Sequence, residues 1–451
     1  MREPDDGRAI SRATGVRGLH PAAGRPVAAG LVRGIRRWDL VALAINGIVG
    51  AGIFGLPSKV FSLTGSYSLL VFLACIVVVS LRVLCFAEVG SRFTETGGSY
   101  LYAYRTFGPL AGFEVGWLDW ISTVAATAAA CNLFAGYLGY FWPAASHGVW
   151  RGAVITAVVL VLGGINIAGV RDAAIVSNVF TAGKLVPLVL FAGVGLFFIS
   201  PGNFSFTPVP GYASFSRTAL VLLFAFGGFG SAVVPAGEMR DPRRNVPFAL
   251  LTAIGVVAVL YILIQVVCIG TLPGLADSQR PLADAAGRFL GRAGGSMVAA
   301  GALISVLGVL HALMLATPRL PFAMAQLGQA PRALAAIHPR FRTPHVAILV
   351  SATLMLALAV SETFLYAATI STVARLLIMA TTCAALPVLR LTGRERPAQF
   401  VVAGGWFVSA AAVALCAWLL SNSPWREARD VAIAAAVGLV VFLAYRRTSA
   451  L

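Results

Sequence analysis

The chain has 451 residues, of which 59% are hydrophobic and only 11% are charged. Soluble globular proteins carry about 25% charged residues, so this chain has too few polar side chains to cover a water-facing surface. The 34 lysines and arginines outnumber the 17 aspartates and glutamates and give a net charge of +17. The composition excludes a soluble globular domain and predicts an all-α integral membrane protein.

Glycines, prolines and charged residues divide the apolar sequence into segments near the length of about 20 residues that spans a bilayer. The tail at 1–38 contains eight arginines and no apolar core of a signal peptide, so we expect it to be a disordered basic cytosolic tail. Segment 280–291 is amphipathic and is expected to form a short external helix. We predict twelve transmembrane helices, at residues 39–62, 67–89, 110–140, 150–169, 174–199, 218–237, 247–270, 295–323, 344–360, 363–389, 399–420 and 429–446.

The placement of the basic residues indicates the orientation of the chain. With the N-terminus inside, the tail, the even-numbered connections and the C-terminus hold most of the lysines and arginines, which favours both termini in the cytoplasm. This bias explains most of the +17 charge, and no basic domain suited to nucleic acid is evident. The cysteines and histidines form no metal, disulfide or catalytic pattern, and no nucleotide-binding P-loop is present. We therefore expect no cofactor, no metal site and no enzymatic activity.

Two predicted helices, the first and the sixth, contain clusters of glycines near their centres. A glycine inside a helix costs up to about 1 kcal/mol, and helix breaks at membrane depth are tolerated where the freed backbone lines a cavity. Gly50 lies about 16 Å and Gly227 about 14 Å into their spans, near the bilayer midplane. Interrupted helices at corresponding positions of two halves predict a transporter's binding site, and close helix packing is the alternative interpretation. The clusters are Gly47, Gly50, Gly52 and Gly55 before Pro57, and Gly227, Gly228 and Gly230 before Pro235.

Several segments together resemble the amino acid–polyamine–organocation family of permeases over about residues 36–446. They include NGIVGAGIFGLP, GGSYLYAYRTFGPLAGFEVGWLDW, TAGKLVPLVL, FAFGGFGSAVVPAGEMRDPRRNVP and RTPHVAILV. The resemblance implies the leucine-transporter fold, in which two inverted five-helix repeats contain broken helices 1 and 6. The first repeat would occupy 39–200 and the second 218–390, followed by helices 11 and 12 at 399–446.

The resemblance also implies how the substrate's head group is held. Its α-carboxylate would bind the backbone N–H groups of Ala51, Gly52 and Ile53 at the first break. Exposed N–H groups at a helix N-terminus form an anion site, so the physical chemistry agrees. Many relatives have serine where this chain has Ala51. Without the serine hydroxyl, only backbone N–H groups would bind the carboxylate in this chain.

The α-amine of the substrate would meet carbonyl groups from both breaks, namely those of Ile48, Phe224, Ala225 and Gly227, as the resemblance implies. Phe224 occupies the position of the family's aromatic lid over the substrate. Phe229 would line the pocket for the substrate's side chain.

Three basic residues lie well inside predicted spans, away from their ends, where ionisable side chains are costly and are functional candidates. Lys184 lies about 15 Å into the fifth span. The resemblance implies that its ammonium sits near the first break, where sodium-coupled members of the fold bind an ion, so it is the predicted coupling residue. The alternative is a structural cation held by carbonyls. Arg82 and Arg375 are interpreted as pore-wall or helix-pairing residues, with Glu88 as a possible partner of Arg82.

The segment that follows the sixth span resembles the family's cytoplasmic junction. Glu238 and Arg240 are therefore predicted to form part of an inner gate, with Phe224 as the gate over the substrate. A solvated cluster of charges is the alternative interpretation.

These features predict a secondary active transporter that moves neutral L-amino acids by alternating access across a bacterial inner membrane. Neutral substrates are favoured because no acidic side chain is near the predicted pocket, and some arginine-exchanging relatives carry a glutamate where this chain has Gly230.

A fixed ammonium predicts sodium independence, and proton release by a buried Lys184 predicts proton symport. The alternatives are an amino acid exchanger, a cationic amino acid or polyamine carrier and, outside this class, a channel or sensor. The sequence leaves the oligomeric state open.

Overall fold

The computed structural model describes residues 35–168, 185–392 and 397–448, and helices dominate these ranges. Most of the basic tail and Lys184 lie outside the described residues. The helices are α1 (Arg37–Ile48), α2 (Ala51–Thr64), α3 (Ser68–Gly90), α4 (Gly98–Phe107), α5 (Pro109–Leu138), α6 (Gly148–Ala168), α7 (Leu185–Phe198), α8 (Tyr212–Leu222), α9 (Pro242–Thr271), α10 (Pro281–Phe289), α11 (Gly291–Ala316), α12 (Arg319–Gln326), α13 (His345–Ser361), α14 (Phe364–Thr392), α15 (Gly405–Ser421) and α16 (Trp425–Thr448).

Eight helical segments of the described chain are long and apolar enough to cross a membrane. Among them are Ala51–Gly90, Pro109–Leu138, Pro242–Thr271 and Phe364–Thr392. Helices α7, α13 and α15 are apolar but shorter, at 10–17 residues. The prediction of an all-α membrane protein is confirmed, whereas twelve spans and the inverted-repeat topology stay predictions.

The outer surface of the helix assembly carries large apolar side chains. Val149 on α6, Phe407 on α15 and Val440 on α16 are among the most exposed. A soluble protein rarely exposes contiguous apolar surface of this kind, whereas a bilayer accommodates it. The surface thus agrees with the composition in indicating that lipid surrounds the helices.

The first predicted span is broken where its glycines cluster. Helix α1 ends at Ile48, Val49 and Gly50 are extended, and α2 begins at Ala51. Gly50 has φ −135° and ψ −150° and supplies no side-chain cap to α2. The predicted interruption at Gly50 is confirmed, and it lies between two short helices rather than inside one continuous helix.

The sixth predicted span is also interrupted. Helix α8 ends at Leu222, and the chain continues as a 3₁₀ helix over Leu223–Val233, which contains the second glycine cluster. Runs of 3₁₀ helix longer than three or four residues are uncommon and often mark a hinge or strain. Pro235, which lacks a backbone N–H, follows this segment, and α9 begins only at Pro242. We refer to Gly47–Ile53, centred on the extended residues Val49 and Gly50, as the first break and to Leu223–Val233 as the second break.

Four long helices surround the two breaks. Helix α14 packs against α5 and α3, and α9 packs against α3 and α1. Ser122 of α5 donates a hydrogen bond of 3.0 Å to the carbonyl of Ser371 on α14. Phe226 of the second break is buried against Phe72 of α3 and Tyr261 of α9. These contacts place both breaks in the interior of the helix assembly.

The predicted amphipathic helix at 280–291 is present as α10. Its apolar residues Leu282, Ala283 and Ala286 are buried, and Asp284 pairs with Arg280 at 3.1 Å. The helix therefore packs one face against the protein, as its sequence pattern indicates.

Candidate functional site

The N-terminus of α2 presents buried backbone N–H groups at the first break. The first N–H groups of a helix have no acceptor within the helix, and here they belong to Ala51, Gly52 and Ile53. The rest of the described chain supplies no hydrogen-bond acceptor for these three groups. A helix N-terminus with free N–H groups and a positive dipole end attracts an anion. This geometry is compatible with the carboxylate site that the sequence predicts.

The two breaks are in direct contact through glycines. A Cβ added to Gly52 would lie 2.5 Å from the Cα of Ala225, and one added to Gly228 would lie 1.8 Å from the carbonyl oxygen of Gly47. No side chain larger than hydrogen therefore fits at either position. The close packing that was the alternative interpretation of the glycines is present, and it coexists with the breaks. An amino acid head group fits between the breaks only if the two segments move apart.

Tyr261 of α9 connects the two breaks, and sequence reasoning missed it. Its hydroxyl lies 3.1 Å from the carbonyl oxygen of Ile48 and 3.2 Å from that of Ala225. Both carbonyls belong to the set predicted to meet the substrate's amine. Tyr261 is fully buried, and a buried tyrosine hydroxyl needs a polar partner. The sequence shows only that a tyrosine lies inside an apolar span. This indicates a buried hydroxyl but does not identify the groups that it binds.

The two predicted aromatic residues lie in different surroundings. Phe224 is partly buried and meets Phe364 of α14 edge to face, with ring centroids 6.1 Å apart. Phe229 is fully buried and packs against Phe86 of α3 at 5.1 Å. Phe224 also lines a small cavity, whereas Phe229 lies in the packed core between helices.

That small cavity lies beside the second break and is lined by two arginines. Its volume is about 10 Å³, and Arg82, Arg375, Phe224 and Gly227 contribute to its wall. Arg375 of α14 donates a hydrogen bond of 2.5 Å to the carbonyl oxygen of Gly227 and one of 3.4 Å to Ser122. Arg375 thereby binds a carbonyl predicted to receive the substrate's amine. The structure thus brings together two arginines from different helices, Arg82 of α3 and Arg375 of α14.

Arg82 and Glu88 do not form the ion pair considered from the sequence. Glu88 is fully buried and binds Arg390 at 2.6 Å and Arg92 at 3.4 Å. It also accepts a hydrogen bond of 2.8 Å from the backbone N–H of Val402. Arg82 and Glu88 are six positions apart on α3, so their side chains point to different faces of the helix. For this reason the predicted pairing of Glu88 with Arg82 was wrong.

Among the described residues, the predicted junction at Glu238–Arg240 is held by backbone hydrogen bonds and not by an ion pair of Glu238. The N–H of Ile35 donates to the carbonyl of Glu238 at 3.1 Å, and the N–H of Arg240 donates to the carbonyl of Ile35 at 3.0 Å. The side chains of Glu238 and Arg240 are exposed. Within the described parts of the chain, the carboxylate of Glu238 has no basic partner within 4 Å. A gating role for these two residues stays a prediction.

The predicted coupling residue falls in a range that the structure leaves out. Lys184 immediately precedes the described start of α7 at Leu185, and the described chain resumes there after residue 168. The role of Lys184 in coupling stays a prediction from the sequence.

Comparison with known proteins gives a consistent result over almost the whole chain. A family model described as amino acid permease matches residues 35–442. The methylthioribose transporter of Bacillus subtilis is 29% identical over 445 residues, covering 93% of this chain and 95% of that protein. The serine/threonine exchanger SteT of the same organism is 30% identical over 329 residues, covering 71% and 74%. Its branched-chain amino acid permease BcaP is 26% identical over 446 residues, covering 92% and 94%.

Proposed function

Because this chain belongs to the amino acid permease family, we propose that it is a secondary active transporter of neutral L-amino acids that works by alternating access. Proteins of this family are transporters and not enzymes, and the chain is a multi-pass membrane protein. The observation that carries the proposal is the contact between two helix breaks, one with free N–H groups and the other with carbonyl groups. An α-amino acid has the complementary pair of charged groups.

The carboxylate of the substrate would bind the N–H groups of Ala51, Gly52 and Ile53. Charge-assisted hydrogen bonds from backbone N–H groups are among the strong ones, and a dry site strengthens them further. Since Gly52 contacts Ala225, the substrate must enter while the breaks are apart. This requirement links binding to a movement of one break against the other, which is what alternating access needs.

The amine of the substrate would bind carbonyls that already have donors. Tyr261 lies within hydrogen-bond distance of the carbonyls of Ile48 and Ala225, and Arg375 donates to that of Gly227. A carbonyl oxygen has two lone pairs and can accept a second hydrogen bond. We infer that the ammonium shares these carbonyls or replaces Tyr261 when the breaks separate.

The charge near the second break supports neutral rather than cationic substrates. Arg82 and Arg375 line the cavity next to Phe224. Contrary to the expectation that no acidic side chain is near the pocket, Asp119 of α5 interacts with Arg375, and it offsets only one of the two positive charges. A lysine, arginine or polyamine substrate would bring another positive charge toward them, at a cost that grows with burial. This argument weighs against the cationic amino acid or polyamine carrier.

We propose that transport is sodium-independent and coupled to protons through Lys184. While it is protonated, a lysine near the first break would repel sodium. The proton that this lysine loses and regains in each cycle would cross the membrane with the substrate. A proton gradient should then drive accumulation in proteoliposomes, and Lys184→Ala should remove this drive while substrate binding persists. Accumulation that follows a sodium gradient would contradict both parts of this proposal.

Counterflow in proteoliposomes tests the proposed function directly. Vesicles loaded with an unlabelled neutral amino acid should take up the labelled one transiently against its gradient, which neither a channel nor a sensor does. The substrate panel should pair neutral with charged side chains, and methylthioribose belongs in it because a relative carries that name. Absence of counterflow for every member of the panel would overturn the proposal.

Amino acid exchange is the second candidate, and it is supported by the similarity to a serine/threonine exchanger. An exchanger would need no ion gradient and would show strong stimulation by substrate on the opposite side. Uptake into empty vesicles separates the two: a symporter takes up substrate there when a proton gradient is imposed, whereas an obligatory exchanger does not.

A further inference from the structure

We propose that the cavity between Arg82 and Arg375 is an anion site that binds a halide or a carboxylate oxygen. The cavity is next to the second break, and its wall also includes the hydroxyl-bearing residues Ser371 and Thr372. Its volume of about 10 Å³ is close to the minimum that holds one water molecule, so it suits a small group and not a whole amino acid.

Arg82 is the residue that most requires an anion. It is only 3% exposed, and its guanidinium contacts the sulfur of Met379 at 3.1 Å. A thioether is a weak acceptor, and the Nε of Arg82 has no hydrogen-bond partner among the described residues. A buried charge without a partner is very costly, so charge compensation at this position would be strongly favourable.

Arg375 is satisfied only by neutral acceptors. Its hydrogen bonds go to the carbonyl of Gly227 and the hydroxyl of Ser122. Asp119 of α5 interacts with Arg375 electrostatically, yet no carboxylate in the described ranges lies within 4 Å of Arg375. Within the described part of the chain, Asp119 is thus the one carboxylate that interacts with this pair of guanidinium groups, and one positive charge stays uncompensated.

Glu88, the acidic side chain that the sequence suggested as a partner of Arg82, does not compensate the charge of Arg82. Glu88 is held by Arg390 and Arg92 on another face of α3 and does not neutralise Arg82. The shared chemistry of the missing partner is therefore a single negative charge on a small atom. Two sources supply it: a free anion such as chloride, or the side-chain carboxylate of a free acidic amino acid.

Occupation of this site would affect the second break through Arg375. The same guanidinium that faces the cavity holds the carbonyl of Gly227. An anion beside Arg375 would compete for its N–H groups or fix its position, and either effect changes how firmly the second break is held. Anion binding would therefore modulate opening of the proposed substrate site.

The test uses the purified full-length chain in lipid nanodiscs and measures the unfolding temperature. In the first arm, sodium chloride or bromide replaces sodium gluconate at constant ionic strength. In the second arm, glutamate is compared with glutamine, and aspartate with asparagine, in gluconate buffer. A saturable rise with halide identifies a free anion, and a larger rise with the acidic amino acid than with its amide identifies a side-chain carboxylate. The proposal would be overturned if halide and gluconate gave the same temperature and each acidic amino acid gave the same temperature as its amide.

Variants locate the effect. Arg82→Met and Arg375→Met should each weaken the apparent anion affinity at least tenfold, and Arg332→Met, an exposed arginine, should leave it unchanged. Unaltered affinity in both cavity variants would contradict the assignment. If neither variant folds, bromide in crystals of the wild-type chain decides: an anomalous peak between the two guanidinium groups supports the site, and its absence there refutes it. Counterflow of neutral amino acids is measured separately, so failure of the anion site and failure of the proposed transport activity are distinguishable.

Discussion

Gly47 and Gly228 bring the backbones of the two helix breaks into contact in the interior of the protein. A Cβ at Gly228 would lie 1.8 Å from the carbonyl oxygen of Gly47, a distance that no side chain can accept. The obstacle is backbone on both sides, so rotation of a neighbouring side chain cannot relieve it. The contact makes the two breaks a single structural unit.

We expect Gly228→Ala to abolish uptake and to lower the unfolding temperature, because the added methyl group forces the breaks apart. Gly230→Ala is the matched control, since a Cβ there has no atom within 4 Å beyond its neighbours. Uptake of a labelled neutral amino acid, normalised to the amount of protein in the membrane, measures the difference. Equal uptake by the two variants would show that the contact between the breaks is not required.

Gly52→Val is expected to abolish uptake while the protein still reaches the membrane. A Cβ at Gly52 lies 2.5 Å from the Cα of Ala225, and the two further methyl groups of valine would cover the N–H groups proposed to bind the carboxylate. Gly50→Ala is the control, because its Cβ would make only ordinary contacts, with the Val309 side chain at 3.6 Å and the carbonyl oxygen of Ile48 at 4.0 Å. Near-wild-type uptake by Gly52→Val would argue against the proposed head-group site.

Removing the hydroxyl of Tyr261 should destabilise the closed arrangement of the breaks. Tyr261→Phe leaves the carbonyls of Ile48 and Ala225 without this donor, and a buried hydrogen-bond group left unsatisfied costs about 1–3 kcal/mol. Tyr140→Phe is the matched control, since its hydroxyl donates one long hydrogen bond of 3.4 Å to the backbone carbonyl of Arg292 at the surface. Unfolding in substrate-free nanodiscs should begin at a lower temperature for Tyr261→Phe only. Equal shifts for the two variants would mean that the Tyr261 hydroxyl stabilises the protein no more than a surface hydrogen bond does.

Glu88→Gln should be among the most destabilising single substitutions in this chain. The change removes the negative charge that Arg390 and Arg92 share in a fully buried position, and breaking a buried ion pair costs about 3–5 kcal/mol. Glu362→Gln breaks the exposed pair with Arg426 and should cost at most about 1 kcal/mol. Denaturant titration of the two variants side by side measures the difference, and similar midpoints would contradict the assigned importance of the Glu88 cluster.

The sequence by itself determined the properties that depend on local composition. Few charged residues require a bilayer, and the glycines around Gly50 and Gly227 weaken two helices at positions where the structure does interrupt them. Both effects act within one turn or one span of the chain, so they can be read without knowing which helices are neighbours. The family motifs, which are also local, indicated a transporter of amino acids, and the family assignment is confirmed.

Only the tertiary structure decided which distant residues meet. Glu88 binds Arg390, 302 positions away, and not Arg82, because helix rotation sends the two side chains of α3 to different neighbours. The same is true of Tyr261, whose hydroxyl reaches both breaks, and of Arg82 and Arg375, which converge on one cavity. In apolar helices most positions look alike in sequence, so the partner of a buried polar side chain is fixed by the packing and rotation of whole helices rather than by the residues around it.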